Sequence, residues 1–387
     1  MDGYDIMSFL CPTKIYMGIN SHKKLSEIID NLDIKSMLFL CDPNVVSTEI
    51  YILIEKILSE KKIIFDVFKD IEPEPTVRTL EKANEVYQKN KADTLIALGG
   101  GSTMDLGKAL GIYVTNGGHI SDYVGNDKFL TAPLRLISIP TTAGTGSEVS
   151  GSCVITDTER NIKMSIRSET LNRSKIAILD PVALKSLPEK TAAHSAVDAF
   201  VHAFESYICL KSNIISDAVN LYAIELISQN IRPFVSNRNN LNAGLKMLCA
   251  ASLASMGFTS TGLGNVHCMG KLIGGYFHIS HGLSMAVLLP YIAEYNHIST
   301  PDKYARIALA MGEKIQGLTI MEAGRKAIEA IWRMNKDLNI PEKLRDVGVE
   351  KEKLSELSQL AFEANYSQLN PRNTTINGFR SLFDQAY

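Results

Sequence analysis

The sequence predicts an α/β N-terminal domain built on a mostly parallel sheet, followed by an all-α C-terminal domain. Short β-branched runs alternate with amphipathic stretches as far as residue 180, which is the rhythm of repeated β-α units. Beyond residue 183 only helical periodicity continues. The 387 residues, 45% of them apolar, suffice for two hydrophobic cores. We therefore predict domains at residues 1–183 and 184–387.

Local patterns place the elements of the first domain. Apolar runs bounded by turn residues predict strands at residues 36–41, 61–68, 94–98 and 134–139. Helices are predicted at residues 45–58 and 77–90 and from Thr103 onward. The EPEPT segment at residues 72–76 is predicted to be a loop, because a proline disfavours helix in the residue before it. The FLCPTKIYMG segment at residues 9–18 is a candidate edge strand for pairing with a second subunit.

The second domain shows apolar residues at helical spacing and almost no strand pattern. Helices are predicted at residues 191–210, 215–230, 242–257, 282–297, 301–311 and 320–338.

Composition and charge argue against several classes of protein. The formal net charge is −2 without a block of like charges, so we expect neither a nucleic-acid partner nor an anionic membrane surface. No run of 18 apolar residues occurs, so no transmembrane helix is predicted, and the start lacks the features of a signal peptide. The six cysteines are scattered without a C-x-x-C pair, which is typical of reduced thiols in a cytoplasmic protein.

A glycine-rich loop follows the strand predicted at residues 94–98. Gly99, Gly100 and Gly101 free the backbone for close approach to a ligand, and the helix after them directs its N–H groups at the same space. This arrangement suits a pyrophosphate, with Ser102 as a further donor or as a helix cap. The spacing matches neither G-x-G-x-x-G nor a P-loop. The alternative is a turn that binds nothing.

Two more polar positions lie at predicted strand ends, where open α/β sheets bind ligands. The first is Asp42, which is suited to the adenosine ribose of NAD and would repel the 2′-phosphate of NADP; alternatively it only initiates a turn before Pro43. The second is a loop after the strand at residues 134–139, whose hydroxyl side chains are Thr141, Thr142, Thr145 and Ser147.

Four side chains in the second domain have the chemistry of metal ligands. Asp198 and His202 are four residues apart on a predicted helix and therefore share one face. His267 and His281 lie in a glycine-rich, apolar segment, in a chain with only eight histidines. One carboxylate and three imidazoles suit Fe²⁺ or Zn²⁺ and leave room for a substrate oxygen. A D-x-x-x-H pair alone is more often an ordinary helix-surface pair, and spacing does not prove that the four residues converge.

These motifs together resemble the iron-containing (group III) alcohol dehydrogenases across nearly the whole chain. The matching runs are ALGGGSTMDLGKA, PTTAGTGSEVS, AVDAFVHAFESY and GLGNVHCMGKLIGGYFHISHG, in that order. The resemblance implies a Rossmann-like domain and a helical domain, as in 3-dehydroquinate synthase, with the active site in the cleft between them. It implies a metal bound by Asp198, His202, His267 and His281. It implies that NAD contacts Asp42, Gly100, Gly101, Ser102, Asp105, Thr141, Thr142, Thr145, Ser147 and Lys163.

The chain departs from this family at Lys271, where the family usually has a histidine four residues after the metal ligand His267. Three interpretations remain open. Lys271 anchors an anionic substrate tail, or it is the acid/base group, or it is a tolerated change while water or His278 relays the proton. Lysine is a poorer proton shuttle than histidine, because it stays charged near neutral pH unless burial lowers its pKa.

The sequence therefore predicts an NAD(P)-dependent alcohol dehydrogenase or aldehyde reductase whose metal polarises the substrate oxygen. NAD is favoured over NADP, and a homodimer or higher homo-oligomer is expected. Two alternatives stay open: a sugar-phosphate cyclising lyase of the same fold, and a catalytically silent cofactor-binding protein. The substrate, the physiological direction and the choice between iron and zinc are not determined by the sequence.

Overall fold

The structure is a computed structural model that describes residues 8–160 and 162–387. The described chain forms two compact units. The sheet unit comprises Leu10–Leu187 and Arg238–Ser252, and the helical unit comprises Pro188–Asn237 and Leu253–Tyr387. The division of the chain into domains at residue 183 stays a prediction.

The described residues of the sheet unit form nine strands. They are β1 Lys14–Met17, β2 Ser36–Cys41, β3 Ile64–Phe68, β4 Thr94–Gly99, β5 Gly125–Asn126, β6 Arg135–Pro140, β7 Ser152–Asp157, β8 Ile162–Arg167 and β9 Ile176–Leu179. Six of them form one sheet in the order β1-β9-β6-β4-β2-β3, and every neighbouring pair is parallel. The predicted parallel sheet is therefore confirmed. The strand predicted from residue 61 begins later, because Lys62 adopts a left-handed turn conformation with φ of 56°.

Helices cover both faces of this sheet. They are α1 Lys24–Asn31, α2 Glu49–Glu60, α3 Val77–Asn90 and α4 Gly101–Asn116. Alternate side chains of β2 enter two different cores: Leu38 and Leu40 pack with α3 and α4, whereas Met37 and Phe39 pack with α1 and α2. A strand buried on both faces appears as a continuous apolar run, which is why the SMLFLC segment was predictable.

The chain order reverses between β2 and β4. From β2 the chain proceeds to β3 on one side, and β4 lies on the other side of β2. Ligands in open α/β sheets bind at such a switch point, beyond the carboxyl ends of the strands. Asp42 follows β2 there, and its N–H donates to the Leu98 carbonyl of β4 at 3.0 Å.

A small second sheet with the order β5-β8-β7 was not predicted from the sequence. β7 and β8 pair antiparallel from Ser152↔Arg167 to Asp157↔Ile162, and alternate residues of β7 are buried. This hairpin carries Lys163, opposite Thr156.

The remaining helices are α5 Glu189–Ile208, α6 Ile214–Ser236, α7 Leu241–Thr261, α8 Asn265–Phe277, α9 His281–Asn296, α10 Pro301–Ala310, α11 Ile320–Asp337, α12 Leu354–Glu363 and α13 Ile376–Ala386. The six helices predicted here are present, whereas α8, α12 and α13 were not predicted. Large aromatic side chains, among them Phe200, Phe204 and Tyr304, are fully buried in the helical unit. A 3₁₀ turn, Asn365–Leu369, lies between α12 and α13.

One helix of the described chain, α7, is long and apolar enough to cross a membrane when only length and composition are considered. Of its most apolar 18-residue window, 56% is buried inside the protein, and core helices of soluble proteins pass the same test.

Candidate active site

The four predicted metal ligands converge in the helical unit. Asp198 and His202 lie one turn apart on α5, His267 lies in the first turn of α8, and His281 is the first residue of α9. One ligand atom from each residue lies within 4.8 Å of all the others. Asp198 is central: its Oδ1 lies 3.8 Å from His267 Nε2 and 3.6 Å from His281 Nε2, and its Oδ2 lies 3.8 Å from His202 Nδ1.

The polar atoms at the centre of this cluster fit a bound cation. Asp198 Oδ1 and His267 Nε2 are buried, and neither has a hydrogen-bond partner among the described residues. Leaving buried polar atoms unpaired is costly, so such atoms usually have an ion or another ligand as partner. A divalent cation would satisfy both, and the set of one oxygen and three nitrogen donors suits Fe²⁺ or Zn²⁺. The side chain of His281 is 41% exposed, which leaves the cluster open on that side.

Glu205 orients His267 within the cluster. It lies seven residues after Asp198 on α5, and its Oε2 is 2.7 Å from His267 Nδ1. The carboxylate also accepts from two backbone N–H groups, those of Val266 at 2.6 Å and His267 at 3.3 Å. A proton on Nδ1 donates to this carboxylate and leaves Nε2 as a lone-pair donor directed at Asp198.

Burial controls the protonation of these groups. Burial lowers the pKa of His267 well below its usual value, with smaller contributions from His202, His281 and Lys271. Burial also raises the pKa of Glu205 to about 7, although hydrogen bonds from backbone N–H groups, the one from Val266 above all, oppose that shift. The pKa of Asp198 is raised by burial too, against the charges of His281 and Lys271. The imidazole of His267 is therefore neutral near neutral pH, which is the form that binds a metal.

Glycines allow the three ligand-bearing helices to approach closely. A Cβ atom on Gly282 would lie 2.4 Å from the His194 carbonyl of α5, so only glycine permits the start of α9 to contact α5 there. A Cβ atom on Gly264 would lie 2.9 Å from Asn370 Oδ1 and 3.1 Å from Glu205 Oε1. The glycines beside His267 and His281 therefore serve helix packing.

The two predicted catalytic residues lie close in sequence but differ in setting. Lys271 lies on α8 one turn after His267, and its Nζ donates to the Tyr366 hydroxyl at 2.5 Å. His278 ends α8 in the left-handed conformation, with φ of 53° and ψ of 32°, a position that glycine commonly takes. His278 is exposed and is not part of the metal-ligand cluster.

In the sheet unit, the glycine-rich loop lies beside the loop that carries Thr141, Thr142, Thr145 and Ser147, which we call the threonine-rich loop. Gly100 is the N-cap of α4, and the Thr141 N–H donates to the Gly99 carbonyl at 3.0 Å. A Cβ atom on Gly101 would lie 3.0 Å from Thr145 Cγ2, and one on Gly100 would lie 3.4 Å from Thr142 Cγ2. The two loops thus bring most of the predicted cofactor residues together at the N-terminus of a 16-residue helix.

A buried charged network lies under these loops, and its central residue, Lys108, was not predicted from the sequence. Lys108 is 3% exposed and donates at 2.9 Å to the hydroxyls of Ser147 and Ser150 and to the Ser152 carbonyl. Ser147 in turn donates to Asp105 Oδ1 at 2.8 Å, and Asp105 Oδ2 accepts from the Val154 N–H at 3.0 Å. Burial lowers the pKa of Lys108 and raises that of Asp105. The network therefore links α4 to the threonine-rich loop and to β7.

Three further predicted cofactor residues contact other parts of the sheet unit. Ser102 Oγ accepts from the Glu74 N–H at 3.3 Å, and Lys163 Nζ pairs with Glu74 Oε1 at 2.6 Å. The EPEPT loop therefore links Ser102 to Lys163. Asp42 Oδ1 accepts from the backbone and side-chain nitrogens of Asn44, at 2.9 and 3.1 Å. Asp42 thus initiates a turn, and this contact is compatible with its second predicted role at the ribose.

Comparisons with known proteins show the family to which this chain belongs. The family profile described as iron-containing alcohol dehydrogenase matches residues 12–181, and the C-terminal profile of the Fe-containing alcohol dehydrogenase family matches residues 192–387. The chain is 35% identical to 1,3-propanediol dehydrogenase of Klebsiella pneumoniae, over 99% of this chain and 100% of that protein. It is 32% identical to lactaldehyde reductase of Escherichia coli (strain K12), over 96% and 97% respectively.

The fold agrees as well. A crystal structure of 1,3-propanediol oxidoreductase is similar with a TM-score of 0.96 and 34% identity, over 99% of this chain and 100% of that one. Fold, motifs and relatives together define an oxidoreductase that acts on alcohols or aldehydes with a nicotinamide cofactor. The chain belongs to the iron-containing alcohol dehydrogenase family.

Proposed function

We propose that this enzyme transfers hydride between a small primary alcohol or aldehyde and NAD(H), and that Asp198, His202, His267 and His281 hold the required divalent metal. Fe²⁺ is the proposed ion, with Zn²⁺ as the alternative, because ligand chemistry alone does not separate them. The observation that carries the proposal is the meeting of four ligand atoms within 4.8 Å, two of them buried without hydrogen-bond partners in the described chain.

Each side chain has a separate part in this function. When bound, the metal supplies Lewis-acid polarisation of the substrate oxygen, and the nicotinamide carries the hydride. Asp198 contributes the negative charge that balances part of the cation, and Glu205 fixes the tautomer of His267. Lys271 and His278 are the predicted catalytic residues. We assign proton transfer to water or to the exposed His278, because Lys271 has a different role that we argue below.

The loops of the sheet unit are the proposed NAD site. Gly100, Gly101 and Ser102 at the start of α4 suit the pyrophosphate, because a helix N-terminus presents N–H groups and a positive dipole end. The adjacent hydroxyl residues Thr141, Thr142, Thr145 and Ser147 would complete it. Asp105 and Lys163 would support the loop and the nicotinamide ribose, respectively. Asp42, at the switch point of the sheet, favours NAD over NADP by repelling a 2′-phosphate.

Membership of the family argues against the two alternatives. A cyclising lyase would cycle the nicotinamide without net NADH change, whereas the relatives are dehydrogenases and reductases. A silent binding protein has no need of four converging metal ligands.

We further propose a cytoplasmic homodimer. The six free cysteines support a cytoplasmic location, where thiols stay reduced. The position of β1 at the edge of the sheet supports pairing with the same strand of a second subunit.

Metal-dependent turnover tests this function. The protein would be stripped with a chelator, reloaded anaerobically with Fe²⁺ or Zn²⁺, and assayed by NADH absorbance with short aldehydes and, in reverse, with primary alcohols. We expect net NADH oxidation by aldehydes that is lost on stripping and restored by metal. Turnover that is equal before and after stripping would contradict the proposed role of the cluster.

A further inference from the structure

We infer that Lys271 is an anion site beside the metal-ligand cluster, so that the substrate is a short aldehyde or alcohol that carries a terminal carboxylate, sulfonate or phosphonate. This inference rests on the proposed function, because the reacting carbonyl must lie at the cluster while the anionic group lies at Lys271.

The first supporting observation is the position of Lys271 on α8. Residues four apart on a helix lie on one face with their Cβ atoms about 5–6 Å apart. His267 and Lys271 have this relationship, so the lysine side chain starts one turn along the helix from a proposed metal ligand.

The second observation is that the Lys271 ammonium is held by an aromatic side chain. Its Nζ donates to the Tyr366 hydroxyl at 2.5 Å and lies 4.2 Å from the centroid of the Tyr366 ring. A cation over an aromatic ring is attracted by the negative ring face, which reduces the freedom of the long side chain. A lysine positioned before binding loses less entropy when it contacts a ligand.

The segment that carries Tyr366 is itself firmly anchored. Asn370, at the end of its 3₁₀ turn, is buried and exchanges hydrogen bonds with Asn296 at 2.8 and 2.9 Å. Asn370 also accepts from the Asn265 N–H at the start of α8, at 3.3 Å. The Leu210 N–H donates to the Leu369 carbonyl at 3.0 Å. Tyr366 is therefore fixed relative to the helix that carries Lys271.

The third observation is the charge balance. In the part of the chain that the structure describes, Lys271 forms no ion pair with a carboxylate, and its hydrogen bond goes to the neutral Tyr366 hydroxyl. An ammonium has three donors, so two remain for a ligand. A region with a divalent metal and a lysine that has no carboxylate partner in the described chain attracts an anionic substrate and disfavours a cationic one.

A matched pair of substrates tests how the charge of Lys271 affects substrate preference. The aldehydes would be 4-oxobutanoate and its neutral isostere 4-oxobutanamide, both assayed with the metal-loaded enzyme and NADH. The variants would be Lys271→Met, which removes the charge, and Lys271→Arg, which keeps it. Lys343→Met is the matched control, because Lys343 also lies over a tyrosine ring, 4.9 Å from the centroid of Tyr291. A second readout is calorimetric binding of butanoate against butanamide, which requires no turnover.

We expect the unmodified enzyme to favour the anion by about 10- to 100-fold in kcat/KM, the size of one charge-assisted hydrogen bond. Lys271→Met should bring the ratio near one, whereas Lys271→Arg and Lys343→Met should keep the preference. An equal ratio in the unmodified enzyme and Lys271→Met would overturn the inference, and so would a preference for the amide. If neither these two aldehydes nor the short aldehydes and primary alcohols of the metal-dependence test turn over, the proposed function fails instead. Equal binding of butanoate and butanamide would then overturn the anion site separately.

Discussion

Glu205 accepts a hydrogen bond from His267 at 2.7 Å, and both side chains are almost completely buried. The pair links the middle of α5 to the first turn of α8, so a change in the carboxylate alters the imidazole that we propose as a metal ligand. Groups that orient a metal-binding histidine in this way typically contribute 10- to 100-fold to metal affinity.

Glu205→Gln should therefore weaken the binding of Fe²⁺ or Zn²⁺ by about 10- to 100-fold, because the neutral amide holds the Nδ1 proton less firmly. Chelator competition would measure the dissociation constant of the metal. The control is Glu225→Gln, which changes a carboxylate on the outside of α6 that bonds only to Gln229 in the described chain. Equal affinities in both variants would show that Glu205 has no part in the metal site.

The glycine-rich loop offers a graded steric test. A Cβ atom on Gly99 would lie 2.2 Å from Thr103 Oγ1, whereas one on Gly100 would lie 3.4 Å from its nearest neighbour. Gly99→Ala should therefore weaken NADH binding more than Gly100→Ala does, as measured by NADH fluorescence titration. Gly275→Ala is the control, because a Cβ there meets nothing within 4 Å. It should stabilise α8 by about 0.5–1 kcal/mol without changing the affinity for NADH.

The choice of cofactor is predicted to depend on Asp42. Asp42→Ala removes the carboxylate at the end of β2, so the ratio of kcat/KM for NADPH to that for NADH should rise by about tenfold or more. Asn44→Ala is the companion variant: it keeps the carboxylate but removes the side-chain contact at 3.1 Å. If the ratio is unchanged in Asp42→Ala, the aspartate only initiates the turn.

Glu148 predicts a pH dependence of stability. It is 2% exposed and accepts a hydrogen bond from Ser252 at 2.6 Å, and burial raises its pKa above the ordinary value of 4.5. The folded protein therefore binds more protons here than the unfolded chain, so the stability contributed by this group is lost as the pH rises from about 4.5 through the raised pKa.

The amide in the Glu148→Gln variant cannot ionise, so the variant should not lose stability in this way as the pH rises. We compare the thermal unfolding midpoint of the variant with that of the unmodified protein at two pH values. The midpoint of the variant minus that of the unmodified protein should be larger at pH 7.5 than at pH 4.5. Glu352→Gln, at an exposed position, is the control. A difference in midpoint that is the same at both pH values would mean that Glu148 ionises normally in the folded protein.

Much of the fold was predictable, because its pattern is local. Each central strand of the parallel sheet is buried on both faces and appears as an apolar run, as SMLFLC in β2 and TLIALG in β4. The antiparallel hairpin of β7 and β8 was missed although SCVITD alternates buried and half-buried residues. Helix α8 was not predicted because its glycines oppose helix formation, and close packing outweighs that tendency: a Cβ on Gly270 would lie 2.5 Å from Met285 Cε.

The site was partly predictable for a similar reason. Asp198 and His202 share a helix face by spacing, and the structure brings His267 and His281 to them. Glu205 was overlooked, although it lies seven residues after Asp198 and therefore on the same face of α5. Lys108 was also overlooked, because a lysine on a helix is normally solvated, and only the folded structure encloses it among Ser147, Ser150 and the Ser152 carbonyl.

The most direct test of the central claim is the amount of metal bound per chain. The protein would be loaded anaerobically with Fe²⁺, desalted and analysed by elemental mass spectrometry, alongside Asp198→Asn, with circular dichroism to check that the variant is folded. We expect about one metal ion per chain in the unmodified protein and a large loss in the variant, because Asp198 supplies the carboxylate that lies within 4 Å of all three histidines of the cluster. A folded Asp198→Asn protein that keeps one tightly bound ion per chain would contradict it.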